Sequence, residues 1–136
     1  MDPSRLKSIS LFQKVPDEDL REIAPFAQEV SVEEGSHLVR EGDFSYEFMA
    51  IEEGEAEVTR DGEHVNDLGP GDFFGELALL GEVPRTATAT CTTPCRLLVV
   101  GHREFHSLLS KFPTIQTAVL ESLARRIARL EADNPH

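Results

Sequence analysis

The residues best suited to chemistry lie in one stretch, 71–88, which reads Gly-Asp-Phe-Phe-Gly-Glu-Leu-Ala-Leu-Leu-Gly-Glu-Val-Pro-Arg-Thr-Ala-Thr. Its middle reads as a short helix-like piece over residues 76–80. One or two turns contribute little by themselves. They do offer a free N-terminus, where the amides of Leu77 and Ala78 can point at an anion and the helix dipole favours negative charge. The stretch then resumes as a strand, with Arg85, Ala87, Ala89 and Cys91 on one face and Thr86, Thr88 and Thr90 on the other. The small apolar set reads as the inside of a barrel, so Arg85 points inward with it. A guanidinium there is costly unless something neutralises it. Glu76 or Glu82 could do so as an internal ion pair, but a phosphate does it better, because the guanidinium fork matches its oxygens bidentately. Ala78, Ala87 and Ala89 leave room for such a ligand.

The elements that must position this stretch follow from the punctuation. Between Glu29 and Val100, Gly35, Gly42, Gly54, Asp61-Gly62, Gly69-Pro70-Gly71 and Thr93-Pro94 recur at intervals that fit a β-sandwich or barrel of short strands. Asp61-Gly62 is the strongest hairpin signal, since a type I′ turn needs positive φ at both central positions. Before it, Ala56 and Val58 alternate inward with Glu55 and Glu57 outward. Helices flank the strands. Leu20, Ile23, Ala24 and Ala27 follow the acidic turn Asp17-Glu18-Asp19 at helical spacing, with Pro25 expected to kink or end that helix early. Phe105, Leu108 and Leu109 mark a helix from about His102. Pro113 opens a longer one, with Leu120, Leu123, Ile127 and Leu130 along one seam.

A chain of 136 residues suits a single domain, divided into a helical part (1–28), a β-roll (29–100) and C-terminal helices (101–136). With 13 Lys and Arg against 25 Asp and Glu, the balance argues against direct binding of DNA or RNA. It makes a small anionic ligand more informative, because that ligand needs a local cationic site in a repelling field. The opening Met1-Asp2-Pro3-Ser4-Arg5 lacks the order of a signal peptide, no apolar run is long enough to span a bilayer, and Cys91 and Cys95 form no zinc or redox pattern. A cytoplasmic setting is expected, with the two cysteines as buried apolar side chains. His102 and His106, one turn apart, lack a third ligand and read as a helix-surface pair. Glu29, Glu33, Glu34, Glu52, Glu53, Glu55 and Glu57 read as solvated faces, as do the arginines at 125, 126 and 129. No nucleophile and base stand together, so an enzyme is not expected.

Phe-Gly-Glu-Leu-Ala-Leu-Leu at 74–80, followed after four residues by Arg-Thr-Ala-Thr at 85–88, resembles the phosphate-binding cassette of the cyclic-nucleotide-binding domain family. The spacing from Gly75 to Arg85 is that of its protein-kinase and channel members. Leu11-Phe12, Glu41-Gly42-Asp43, Gly54, Gly71-Asp72 and Leu123-Ala124-Arg125-Arg126 agree with the same family over nearly the whole chain. The resemblance implies an α+β, mainly β fold: an eight-stranded, jelly-roll-like β-roll with N-terminal helices, a short cassette helix and two C-terminal helices. It implies that Glu76 accepts the ribose 2′-hydroxyl, and that Arg85 pairs with the phosphate beside Gly75, the amides of Leu77 and Ala78, and Thr86. Val58 and Leu68 would face base and ribose, Arg126 and Leu130 would cap the base, and Leu77 with Phe105 would relay occupancy to the last helices.

The function implied is a cyclic-nucleotide sensor whose C-terminal helices move, with cAMP favoured, cGMP as its competitor, and no metal or further cofactor. Thr86 leaves the base open, since its hydroxyl can bond guanine. The alternatives are a ligand-free scaffold of the same fold, in which the final helix serves as a homodimer or effector seam, and a fragment of a larger channel or transcription regulator. No helix-turn-helix follows the long helix in this sequence.

Overall fold

The computed structural model describes residues 2–43, 47–75 and 86–133. The chain begins with two 3-10 turns, Pro3–Ser8 and Ser10–Phe12, and then α1, Asp17–Ile23. Three acids occupy the first turn of α1, where the dipole favours them. Pro25 ends the helix as expected, and the chain tightens into a 3-10 turn over Ala24–Phe26. Eight strands follow among the described residues: β1 (Gln28–Val32), β2 (His37–Val39), β3 (Phe48–Glu53), β4 (Ala56–Arg60), β5 (Glu63–Leu68), β6 (Phe73–Phe74), β7 (Thr88–Cys91) and β8 (Cys95–Val100). Two helices close the chain, α2 (His102–Lys111) and α3 (Pro113–Asp133). Proline suits the start of α3, because the N–H it lacks has no partner within the helix there.

The strands form two antiparallel four-stranded sheets, ordered β1-β8-β3-β6 and β2-β7-β4-β5. The central strands of the first, β3 and β8, are covered on both faces. Phe48, Ala50, Leu98 and Val100 point to the helices, and Met49, Ile51, Leu97 and Val99 point into the roll. These strands therefore read as unbroken apolar runs, Phe-Met-Ala-Ile and Leu-Leu-Val-Val. The second sheet is dry on one face only. Val39, Ala56, Ala89 and Cys91 line the roll, while Thr88, Thr90 and Glu57 alternate outward, half-buried. The Asp61-Gly62 hairpin has φ of 54° and 80°, as the type I′ turn requires.

The helix side is a continuous core. Phe12, Phe48, Phe105, Ile115, Leu20 and Ile23 are almost wholly buried there. Phe48 stacks on Phe105 with ring centroids 4.7 Å apart, and Phe73 and Phe12 meet it at 5.6 and 6.0 Å. Such aromatic pairs contribute about 0.5–1.5 kcal/mol each beyond burial.

One expectation is overturned. Glu52 is not a solvated acid: only 8% of its side chain is exposed. Arg5 grips it bidentately, Nε to Oε2 at 2.8 Å and Nη2 to Oε1 at 2.5 Å, and Arg96 Nε adds a bond of 2.8 Å. Glu29 and Glu53 complete the cluster on the arginines' outer side. The hydrogen bonds from Arg5, with the charges of Arg5 and Arg96, hold the Glu52 carboxyl below its usual range against the cost of burial, and the carboxylates of Glu52 and Glu29 in turn raise Arg5. Partners 47 and 44 residues away in sequence make this site.

Candidate functional site

The stretch singled out by the sequence enters from one sheet and leaves into the other. β6 pairs with β3 through Met49–Phe74 and Ala50–Phe73, at the edge of the helix-covered sheet. The chain then reaches Gly75, which is buried with φ of 105°. A Cβ there would run into the Glu47 carbonyl oxygen and sit 3.0 Å from Phe48 Cα, so only glycine allows the close pass. On the far side the chain re-emerges at Thr86 and Ala87 and enters β7, an inner strand of the second sheet. Residues 76–85 therefore connect the two sheets.

A set of polar contacts fixes the exit. Thr88 Oγ1 accepts from the Glu41 amide at 3.0 Å. The Glu41 carboxylate accepts from the Asp61 amide at 3.1 and 3.2 Å, tying the β4–β5 turn to the loop after β2. Arg60 Nε donates to the Thr86 carbonyl at 3.2 Å. Below this rim the roll narrows over small side chains: Val58 pairs with Ala89, Ala56 with Cys91, and Ala56 with Leu68.

Of the expected ligand residues, Val58 and Leu68 are half-buried on the second sheet, and Leu68 packs against the roll interior. Thr86 is exposed at the rim, and Gly75 marks the other end. Glu76, Leu77, Ala78, Glu82 and Arg85, with the expected cassette helix, lie outside the described residues. Arg126 and Leu130 fall on α3, their side chains outside the described ones. Phe105, on α2, is buried in the aromatic cluster, one residue removed from Gly75 through Phe48. Sequence reasoning missed the Glu41 brace and Arg60. Arg60 shares the inward parity of Ala56 and Val58, a signal that could have found it.

Three groups outside the mouth have plain structural roles. Cys91 and Cys95 are buried at the closed end of the roll, and burial, then the hydrogen bond with Cys95, pushes the Cys91 thiol up to about 12. His64 sits between two carboxylates, Nδ1 3.0 Å from Glu57 and Nε2 3.6 Å from Asp67. These three side chains could hold a metal ion, but each ring nitrogen already faces a different acid. A cleft of about 350 Å³ lined by Phe26, Gln28, Glu47, Val99 and Glu104 opens on the helix side, away from the rim at Thr86. No described helix is long and apolar enough to cross a membrane.

Known proteins share this architecture. The family described as cyclic nucleotide-binding domain matches residues 29–112. A cAMP-dependent protein kinase regulatory subunit from Eremothecium gossypii is 36% identical over 88% of this chain, which spans 26% of that relative. The catabolite activator protein of Thermus thermophilus superposes with a TM-score of 0.81 at 27% identity, over 91% of this chain and 62% of that one. The regulatory domain of Toxoplasma gondii PKA, solved with cAMP, gives 0.68 at 35% identity, over 79% and 42%. Matched over more than half its length by that family, the chain belongs to the cyclic nucleotide-binding domain family.

Proposed function

We propose that this domain is a non-catalytic sensor that binds a cyclic nucleotide in the mouth of the roll, cAMP first and cGMP as its competitor. One observation carries the reading: the strand that follows Arg85 runs into the roll on small side chains, Ala89 and Cys91, opposite Val58 and Ala56. By the alternation of the sequence Arg85 would point inward beside these small side chains, and a guanidinium so placed calls for an anion. In this reading Arg85 and the amides of Leu77 and Ala78 hold the phosphate, Glu76 accepts the ribose hydroxyl, and Val58, Leu68 and Thr86 meet the base. The relatives' names, a cAMP-dependent kinase regulatory subunit and a regulatory domain crystallised with cAMP, support the ligand class.

The helices respond through packing. Gly75 passes close to the backbone of Phe48, where an added Cβ would stand 3.0 Å from the Phe48 Cα, and Phe48 stacks on Phe105 in α2, so a shift where the cassette begins has a short route to the helix side. Leu77 would add a second contact onto Phe105 from within the cassette. A ligand drives such a change only by binding one helix arrangement better than the other.

Isothermal titration with cAMP and cGMP tests the reading. Saturable binding should be lost, by about a hundredfold or more, in Arg85→Ala, which deletes a charge-assisted bidentate contact. Absence of binding by the unaltered domain would leave a scaffold that kept the fold without the ligand.

A further inference from the structure

Along β4, Ala56, Val58 and Arg60 share the face that looks into the roll: Ala56 pairs with Cys91 and Val58 with Ala89, both buried inside. Two residues beyond Val58 the strand reaches the rim, and there Arg60 is exposed. Its guanidinium is nevertheless held. Nε donates to the Thr86 carbonyl at 3.2 Å, which keeps the planar group against the residue after Arg85. Among the described residues, the ion pairs involve Arg5, Arg96, Lys7, Lys111 and His64, and none takes up Arg60. Anchored at one edge, the group keeps both Nη donors for a further pair of acceptors.

We propose that Arg60 is a specificity residue that reads the acceptor edge of the purine in a bound cyclic nucleotide, a contact that supports guanine and so lets cGMP compete with cAMP. Guanine offers O6 and N7, two acceptors that match an arginine fork, whereas adenine offers N7 beside the donor N6. The inference rests on the cyclic-nucleotide reading above, in which Val58 and Thr86 meet the base; Arg60 stands next to both, on the strand of one and bonded to the backbone of the other. Base recognition is the role left to it, since the phosphate has Arg85. In a chain with 25 acids against 13 Lys and Arg, a cation held at the rim also weighs more than it would on a basic surface.

Calorimetric titration of the domain with cAMP, cGMP and cIMP tests this, because cIMP keeps the O6 and N7 of guanine and lacks its exocyclic amine. In Arg60→Ala, affinity for cGMP and for cIMP should each fall about tenfold, the value of one bidentate base contact, with cAMP changed by less than about twofold. Arg60 is exposed, so the substitution leaves the fold intact. Equal losses for all three nucleotides would overturn the proposal by moving Arg60 to the phosphate or ribose. Unchanged affinities would overturn it by leaving Arg60 only its bond to Thr86. Failure of the unaltered domain to bind any of the three would instead sink the cyclic-nucleotide reading, and that result needs no substitution to be seen.

Discussion

In β3 and β8, the central strands of the sheet β1-β8-β3-β6, both faces are dry over residues 48–51 and 97–100, and the face toward the helices carries large rings and branched chains: Phe48 stacked on Phe105, with Leu98 and Val100 beside them. In β2-β7-β4-β5 one face meets solvent, and the dry face is lined by alanines and a cysteine at Ala56, Ala89 and Cys91. The difference separates two tasks. Close-packed apolar volume on the helix side supplies most of the stability. The second sheet carries small side chains on its dry face, the face that takes the ligand in the function proposed above. In sequence, residues 76–85 fall between β6, at the edge of the first sheet, and β7, inside the second.

The sharpest way to break this contrast is to truncate on the helix side. Phe48→Ala should cost about 3–5 kcal/mol of folding stability in denaturant unfolding, because it leaves a cavity and removes three ring contacts. A cost below about 1 kcal/mol would show that the helix side is not where stability resides.

Glu52→Gln should come next, at about 1–3 kcal/mol near neutral pH, the worth of hydrogen bonds to a charged group. Folding holds the Glu52 carboxyl below its ordinary range, so its stabilisation is complete above that range, near ~4.3, and is lost as pH falls through the lower value of the folded state. The variant and the unaltered domain should therefore converge in acid, which thermal melts across a pH series can read. Curves that stay parallel would remove Glu52 from the acid response.

The smallest stability effect is expected from Val58→Ala on the second sheet, about 1 kcal/mol or less, since Val58 is only half-buried. Nucleotide affinity should nevertheless fall about three- to tenfold in titration. The contrast is sharpened if stability and affinity part in this way, and lost if both fall together.

Much of the architecture was legible from the chain. Asp61-Gly62 announced its hairpin, Pro25 and Pro113 marked helix boundaries, and the alternation in β4 and β7 told inside from outside, because the second sheet meets solvent on one face. The first sheet resisted the same reading. Phe48 to Ile51 are all buried, and period-two alternation vanishes when both faces are dry. Charged contacts were the least legible. Glu52 reads as one more acid among many, because Arg5 and Arg96 reach it only after the roll has closed. Arg60 shows its parity in sequence, but its acceptor is a backbone carbonyl 26 residues on. The cassette motif was clear as a pattern of types, since its spacing is local, and it singled out Glu76 and Arg85 where the described backbone supplies only the two ends, Gly75 and Thr86.

The Arg5 clamp has a mechanical consequence. Tension drawn through the chain ahead of Arg5 arrives first at Glu52, on the end of β3, through two parallel bonds. The next anchors are Lys7, whose ammonium meets the Asp17 carboxylate of α1 at 2.8 Å, and Ser10, whose amide and hydroxyl both donate to the Gly71 carbonyl at 3.0 Å, in the turn that opens β6. A pull from that direction is therefore delivered to β3 before α1 and the turn ahead of β6 share it.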